Sequence, residues 1–445
     1  MTSLDFARCA VMPGLFIDRP FSRREWLSYT SCVLIASCSQ PGPRARQVGQ
    51  ALTDSAARQF YARRGWTAAW DSSSARSLAQ AIANTRAHGL DPQAFTPKRA
   101  PGGGADEAHT VAALLLAKTL SIGFVDPHRI EPIFTLKQNS IDVVAGLAQA
   151  LAQRNLSGWI ESLAPADAEY KSLSAAYLAA FAQLGKSPPA PDAQTANVIP
   201  PASQVRQLAV NLERRRWLSR TPPAHRIDVN TAAAVFTYLK PGGQAVSARV
   251  VAGRYDHPTP CIEAAFHRLI ANPPWRVPDD IAAKEILPKG QAYIASQDMS
   301  YVDGHLQQAA GPKSALGRVK FDVEDPYDIY LHDTPAKSLF AENDRHRSHG
   351  CVRVQNAVDF ARGIAAETGK ADEFDRALAS TKTTQVDLGQ SIPVRLLYHS
   401  AYVDPSGQLQ MVADVYGADD KLAPILGLSQ AQAAQRQESQ VLFGP

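Results

Sequence analysis

Long apolar runs are missing from this sequence. The best candidate, Leu27 to Ser37, is 11 residues, where spanning a bilayer needs about 20. A disulfide framework is missing as well. The five cysteines are Cys9, Cys32, Cys38, Cys261 and Cys351, with three of them in the first 38 residues rather than in an even set at tight spacing. There is no CxxC or HExxH pattern, so no metal and no cofactor is expected. Dense Lys/Arg blocks are also lacking, although the net charge is +4. That mild basicity suits anionic polymers or surfaces, and nucleic acid is not an expected partner.

What is present begins with an export-like N-terminus. Ser22-Arg-Arg-Glu-Trp-Leu27 precedes the short apolar run, as a twin-arginine signal would. The run ends in Ile35-Ala36-Ser37-Cys38, the form of a lipoprotein cleavage site. The expectation is a signal over residues 1–37, lipidation at Cys38, a tether over 38–49, and a periplasmic protein anchored to the membrane. The long stretch before Ser22 leaves Met12 as an alternative start.

With 445 residues, 45% of them hydrophobic, the chain has room for two or three globular domains. Residues 50–184 are rich in Ala, Leu and Gln, with apolar spacing of three and four. Ala112, Leu115, Leu116 and Thr119, and again Leu173, Tyr177 and Phe181, mark helix faces in an all-helical domain. Five prolines between 185 and 203 predict an extended linker or an arm lying over the enzyme. A connecting helix follows over 204–225. Beyond it the period changes to two, as in Arg318-Val-Lys-Phe-Asp-Val-Glu324. Ala248–Ala252, Asp328–His332, Val394–Tyr398 and Gln410–Val415 are also strand-like, so 226–425 reads as mainly β and 426–445 as a loose tail. The fold class is α+β.

The chemistry-bearing segment is Tyr330-Leu-His-Asp-Thr-Pro335, followed by Ser348-His-Gly-Cys-Val-Arg353. Tyr330 and His332 share a face if this is a strand. Gly350 permits a tight turn before Cys351, and Asn356 with Asp359 resembles the start of a helix at Ala357. Cys351 should then lie between a glycine turn and a helix start. A thiol is activated by an adjacent imidazole, and His332 is the candidate. The amides of Gly350 and Cys351 are candidate oxyanion donors. Two other readings use the same residues: an inert buried cysteine, or zinc held by His332, His346, His349 and Cys351.

The segment at 348–353 resembles the signature of L,D-transpeptidases with a YkuD-type catalytic domain. The likeness to their large, scaffold-containing class extends over roughly 50–425. It includes Phe60–Trp66, His88–Pro92, Asn211–Arg214, Val251–Arg254, Thr259-Pro260, Asn272–Pro278, Gly311–Lys313, Leu316–Phe321 and Asp414–Gly417. The peptidoglycan-binding module of larger members has no counterpart before residue 204.

The resemblance implies a helical scaffold followed by a mainly β catalytic domain, with a capping insertion at 272–316. It implies that Cys351 attacks a tetrapeptide stem at diaminopimelate, releases D-alanine, and passes the acyl group to a second stem amine. The product would be a 3→3 or a 1→3 crosslink. By the same likeness His332 is the base, oriented by the Asp333 carbonyl, and His349 and Gly350 shape the oxyanion site. Tyr330, Ser348, Arg353 and Trp275 contact substrate, although Arg353 has a structural ion pair as an equal alternative and Trp275 a place in the core. A monomer is expected, with peptidoglycan stems as partners. The rival functions are an L,D-carboxypeptidase or amidase, in which water takes the acyl group, and a wall-binding lipoprotein without catalysis.

Overall fold

The computed structural model describes residues 52–184 and 201–428. The expected signal, Cys38, the tether, most of the proline-rich segment and the end of the tail lie outside those residues.

Local signals place the first helices. Asp54, Asp71 and Asp167 each precede a helix and accept a backbone N–H from its first turn, at 2.7, 2.7 and 3.0 Å. The helices so capped are Ser55–Arg63, Ser72–Asn84 and Ala168–Phe181. With Ala105–Ile122, Val143–Ala152 and Leu156–Ser162 they enclose one apolar core. Ala112, Leu116, Thr119, Leu173 and Tyr177 are buried as their spacing requires, but Leu115 is 38% exposed. It lies at the flank of its helix's apolar stripe, where the neighbouring helices no longer reach it.

The helix Pro201–Trp217 starts inside the segment expected to be extended. Pro201 is its first residue, a position where the missing N–H costs nothing and the ring's φ is already helical. Its Val205, Leu208, Ala209 and Leu212 join the helical core. Val210 and Trp217 join a second core shared with Leu397, Tyr398 and Leu422. The Asn211–Arg214 segment and Arg216 tie the helix in on both sides. Glu213 pairs with Arg216 at 2.6 Å with both side chains fully buried, and Arg216 also donates to the His88 carbonyl at 2.7 Å. Arg214 pairs with buried Asp419, and Asn211 donates to Ser400 at 2.8 Å. Removing one member of such a pair leaves an uncompensated buried charge, at a cost of about 3–5 kcal/mol.

The β region is a nine-stranded sheet. Its order is His346–Ser348, Val246–Gly253, Val352–Val354, Leu331–His332, Val319–Glu324, Glu263–Ala271, Thr384–Leu397, Arg226–Asn230, Val235–Leu239. The last strand also pairs with Val246–Gly253, so the sheet closes into a barrel with His346–Ser348 as a side branch. The helices Ala357–Glu367 and Ala371–Ala379 cover one face, placing Phe374, Ile364 and Ala361 against Phe266 and Phe321.

Between Glu263–Ala271 and Val319–Glu324 the chain leaves the barrel. It forms a small sheet in the order Trp275–Arg276, His305–Gln308, Met299–Val302. Short helices complete this subdomain, and it has its own core of Val277, Ala282, Ile286, Ile294, Met299 and Leu306.

Three local expectations are corrected. The run Asp328–His332 is a strand only at Leu331–His332, because Asp328 adopts a left-handed φ of 54° and turns the chain. The run Gln410–Val415 is strand only near its start, where Leu409–Met411 pairs with Ala401–Val403. Asn356 also takes a left-handed φ, of 53°, and its side chain makes no cap. Cys351 is followed by the strand Val352–Val354, paired with Leu331–His332 and Val246–Gly253, before the helix begins.

Candidate active site

Register brings the candidate residues together. The short strands Leu331–His332 and Val352–Val354 are parallel neighbours with Arg353 opposite His332, and the Val352 N–H donates to the Tyr330 carbonyl at 3.0 Å. Period-two alternation then puts Tyr330, His332, Cys351 and Arg353 on one face. That face lines a cleft of about 920 Å³, closed on its far side by Trp275, Glu285 and other residues of the small subdomain.

His332 is buried and its Nδ1 lies 2.5 Å from the Asp333 carbonyl oxygen. A carbonyl only accepts, so Nδ1 carries the proton and Nε2 keeps its lone pair for the cleft. Burial, with Arg353 and Lys320 nearby, pushes the His332 pKa down to about 3. The Asp333 carboxylate faces the other way. It accepts the Arg318 N–H at 2.9 Å and pairs with Lys337, which anchors the carbonyl that His332 uses.

Cys351 is partly exposed, and its thiol donates to the Asp328 carbonyl at 3.4 Å. The left-handed turn at Asp328 is what presents that oxygen. Burial pushes the thiol up to about 11, against the partial relief of hydrogen bonds to Tyr330. The resting pair is therefore neutral thiol and neutral imidazole.

The turn before Cys351 is set by Gly350, whose φ is 117°. A side chain there would need a backbone conformation that L-residues rarely adopt, and would crowd Ile329. The Gly350 amide already donates to the Ser348 hydroxyl at 3.2 Å. That corrects the expectation of two free amide donors: the Gly350 N–H is engaged, and of the two only the Cys351 N–H has no acceptor among the described residues. Ser348 is 2% exposed and lines the cleft, and its hydroxyl donates to the Cys351 carbonyl at 2.5 Å, so it braces the turn.

His349 points to the small subdomain. Its Nε2 lies 2.6 Å from Glu285, which also receives Arg254 at 3.3 Å. Glu285 stands on a π-helical turn, Ala282–Ile286, and the hydrogen bond with His349, helped by the Arg254 guanidinium, holds its carboxyl below the usual range. His346 bonds to Asp344 and to the Thr231 carbonyl, each at 2.9 Å. The four histidine and cysteine residues considered for zinc thus face different partners, and no such cluster is placed to hold a metal among the described residues.

Arg353 is largely buried with no carboxylate beside it, and its Nε has no partner. The structural ion pair considered for it is not formed. Trp275 both lines the cleft and packs on the small subdomain's core. Tyr330 stacks edge-on against His332 at 5.6 Å, with Lys320 Nζ 4.5 Å from its ring centre.

Residues 224–371 match the family model described as the L,D-transpeptidase catalytic domain. This chain carries that domain. Residues 55–176 match the model described as a scaffold domain, and together the two matches take in most of the helical core and the barrel up to the helix Ala371–Ala379. A Haemophilus influenzae protein named "Putative L,D-transpeptidase" is 31% identical over 242 residues, 48% of this chain and 48% of that relative. The chain thus spans about half the length of the curated relative it matches. All four residues of the cleft face fall inside the L,D-transpeptidase domain, as do Glu285 and Arg254. Those last two were not identified from sequence. Arg254 belongs to a segment with family likeness but no assigned role, and nothing local distinguishes Glu285 from other helical glutamates.

Proposed function

We propose that the protein is a peptidoglycan L,D-transpeptidase. The observation that carries this reading is the shared face of Cys351, His332 and unpaired Arg353 inside the L,D-transpeptidase domain. A guanidinium left without a carboxylate in a cleft suits a substrate carboxylate, as stem peptides carry.

As the Cys351 sulfur bonds to the carbonyl carbon at the L-centre of diaminopimelate, its proton passes to His332 Nε2 and the carbonyl π pair moves to oxygen. The Cys351 N–H stabilises that oxyanion. Collapse breaks the C–N bond, and the departing D-alanine amine takes the proton from His332. An acceptor stem amine then attacks the thioester, loses a proton to His332 and releases the thiol. The crosslink is 3→3 or 1→3 according to which amine enters. The small subdomain over the cleft limits competing water. The mildly basic chain, with its export-like N-terminus and Cys38, fits a periplasmic, lipid-anchored protein that acts as a monomer.

Incubation with disaccharide-tetrapeptide should yield free D-alanine and a dimer, both lost in Cys351→Ala. Tripeptide without dimer would instead identify a carboxypeptidase, and no turnover with no acyl adduct a wall-binding protein. Mass spectrometry of the dimer distinguishes the two crosslinks.

A further inference from the structure

Three segments with family likeness have no part in the mechanism above: Val251–Arg254, Thr259-Pro260 and Asp414–Gly417. In the structure they meet behind the Ser348–Cys351 turn. The Thr259 hydroxyl is buried and donates to the Gly350 carbonyl at 2.7 Å. The same oxygen accepts the Gly253 N–H at 2.9 Å, which fixes its lone pair and leaves its one proton for Gly350. Tyr416 donates from the far side to the Gly253 carbonyl at 2.7 Å. Arg254 N–H holds the Ser348 carbonyl at 2.9 Å. Gly253 has to be glycine for this approach, since a Cβ would lie 2.2 Å from the His257 carbonyl oxygen and 2.6 Å from the Thr259 nitrogen.

The consequence follows from the planarity of one peptide. In a trans peptide the C=O and N–H point in opposite directions. Thr259 draws the Gly350 carbonyl inward, so the Cys351 N–H in the same plane points outward. Of the Gly350 and Cys351 amides, the first is held by Ser348 and the second has no acceptor among the described residues. Without the Thr259 hydroxyl a buried carbonyl loses its donor, and flipping this peptide toward the cleft becomes the way to satisfy it. The flip would put an oxygen where the oxyanion needs a hydrogen.

We propose that Thr259 is a positioning residue for acyl transfer: its hydroxyl holds the Gly350–Cys351 peptide so that the Cys351 amide faces the reacting carbonyl oxygen. Tyr416 and Gly253 hold Thr259 in turn. The inference rests on Cys351 being acylated, but not on the acyl donor being a peptidoglycan stem.

The test compares two reactions of the same thiol. Acylation by p-nitrophenyl acetate passes through an oxyanion, as the sulfur bonds to the acyl carbon and p-nitrophenolate leaves. Alkylation by iodoacetamide is a displacement at carbon that expels iodide and forms none. Both are followed in the full-length protein at pH 9 by mass spectrometry of the peptide containing Cys351, which sets the other cysteines aside. Thr259→Val keeps the shape and removes the hydroxyl, and Thr259→Ser keeps the hydroxyl. Thr259→Val is expected to slow acylation by at least about tenfold, given that one oxyanion donor is worth about 10²–10³ in rate. Alkylation should change by less than twofold, and Thr259→Ser should stay near wild type in both. Equal loss of both reactions in Thr259→Val would show a displaced cysteine and overturn the proposal. So would unchanged acylation, or a Thr259→Ser variant as slow as Thr259→Val. A wild-type protein that takes the acetyl group yet never crosslinks stems would sink the transpeptidase reading and leave this one standing.

Discussion

The neutral resting state of Cys351 and His332 has a measurable signature in the pH dependence of alkylation. With the thiol pushed up to about 11, its thiolate fraction at pH 7 is about one in ten thousand. A free cysteine, with a pKa near 8.5, is roughly 3% thiolate there. The population term alone therefore slows Cys351 by about 300-fold. A more basic thiolate is intrinsically more reactive, which returns about tenfold over this gap. The net expectation is iodoacetamide labelling of Cys351 about 30-fold slower than a free cysteine at pH 7, rising about tenfold per pH unit up to about pH 10. His332→Asn should leave the curve in place, because an imidazole held neutral down to about 3 cannot form an ion pair at these pH values. The readout is the rate of mass gain on the Cys351 peptide from pH 5 to 10. A flat profile below pH 8, abolished by His332→Asn, would mean a preformed thiolate–imidazolium pair and would refute the reasoning.

Two further predictions concern the surroundings of the pair. Glu285→Gln removes the charge by which the small subdomain holds His349 and Arg254. The pairs are partly exposed and worth about 0.5–1 kcal/mol, so the ratio of hydrolysed to crosslinked product should rise roughly two- to fivefold. An unchanged product ratio by chromatography would show that this contact does not govern water access. The second prediction is a loss of stability in mild acid. The folded pKa of His332 lies below its unfolded value of 6.5, so unfolding takes up a proton as pH falls. Its contribution is intact above 6.5 and erodes between 6.5 and 3, reaching about 2 kcal/mol by pH 5. Urea unfolding at pH 7 and pH 5 should show that loss, and His332→Asn should lessen it. An equal loss in the variant would place the sensitivity elsewhere, with buried His399, also held well below its usual range, the first alternative.

Much of this was legible in the chain itself, for local reasons. The aspartates before Ser55 and Ala168 cap helices because they act within three residues. Alternation in Arg318–Glu324 requires a half-buried strand whatever the fold. Tyr330 and His332 share a face, and Gly350 turns the chain before Cys351, through backbone geometry alone. Even the helix at Ala357 begins where expected, although Asn356 reaches it through a left-handed backbone instead of a cap.

What the tertiary structure decided lies between residues far apart in sequence. The pairing of Leu331–His332 with Val352–Val354 puts Arg353 beside the base, and the absence of a carboxylate there frees it from a structural ion pair. Glu285 reaches His349 across 64 positions and Thr259 reaches Gly350 across 91, distances over which no local pattern carries information. The protonation state of the pair was decided the same way. Spacing brings a cysteine and a histidine within reach of one another, but desolvation depends on everything packed around them. Only the folded barrel shows the burial that pushes the imidazole down and the thiol up.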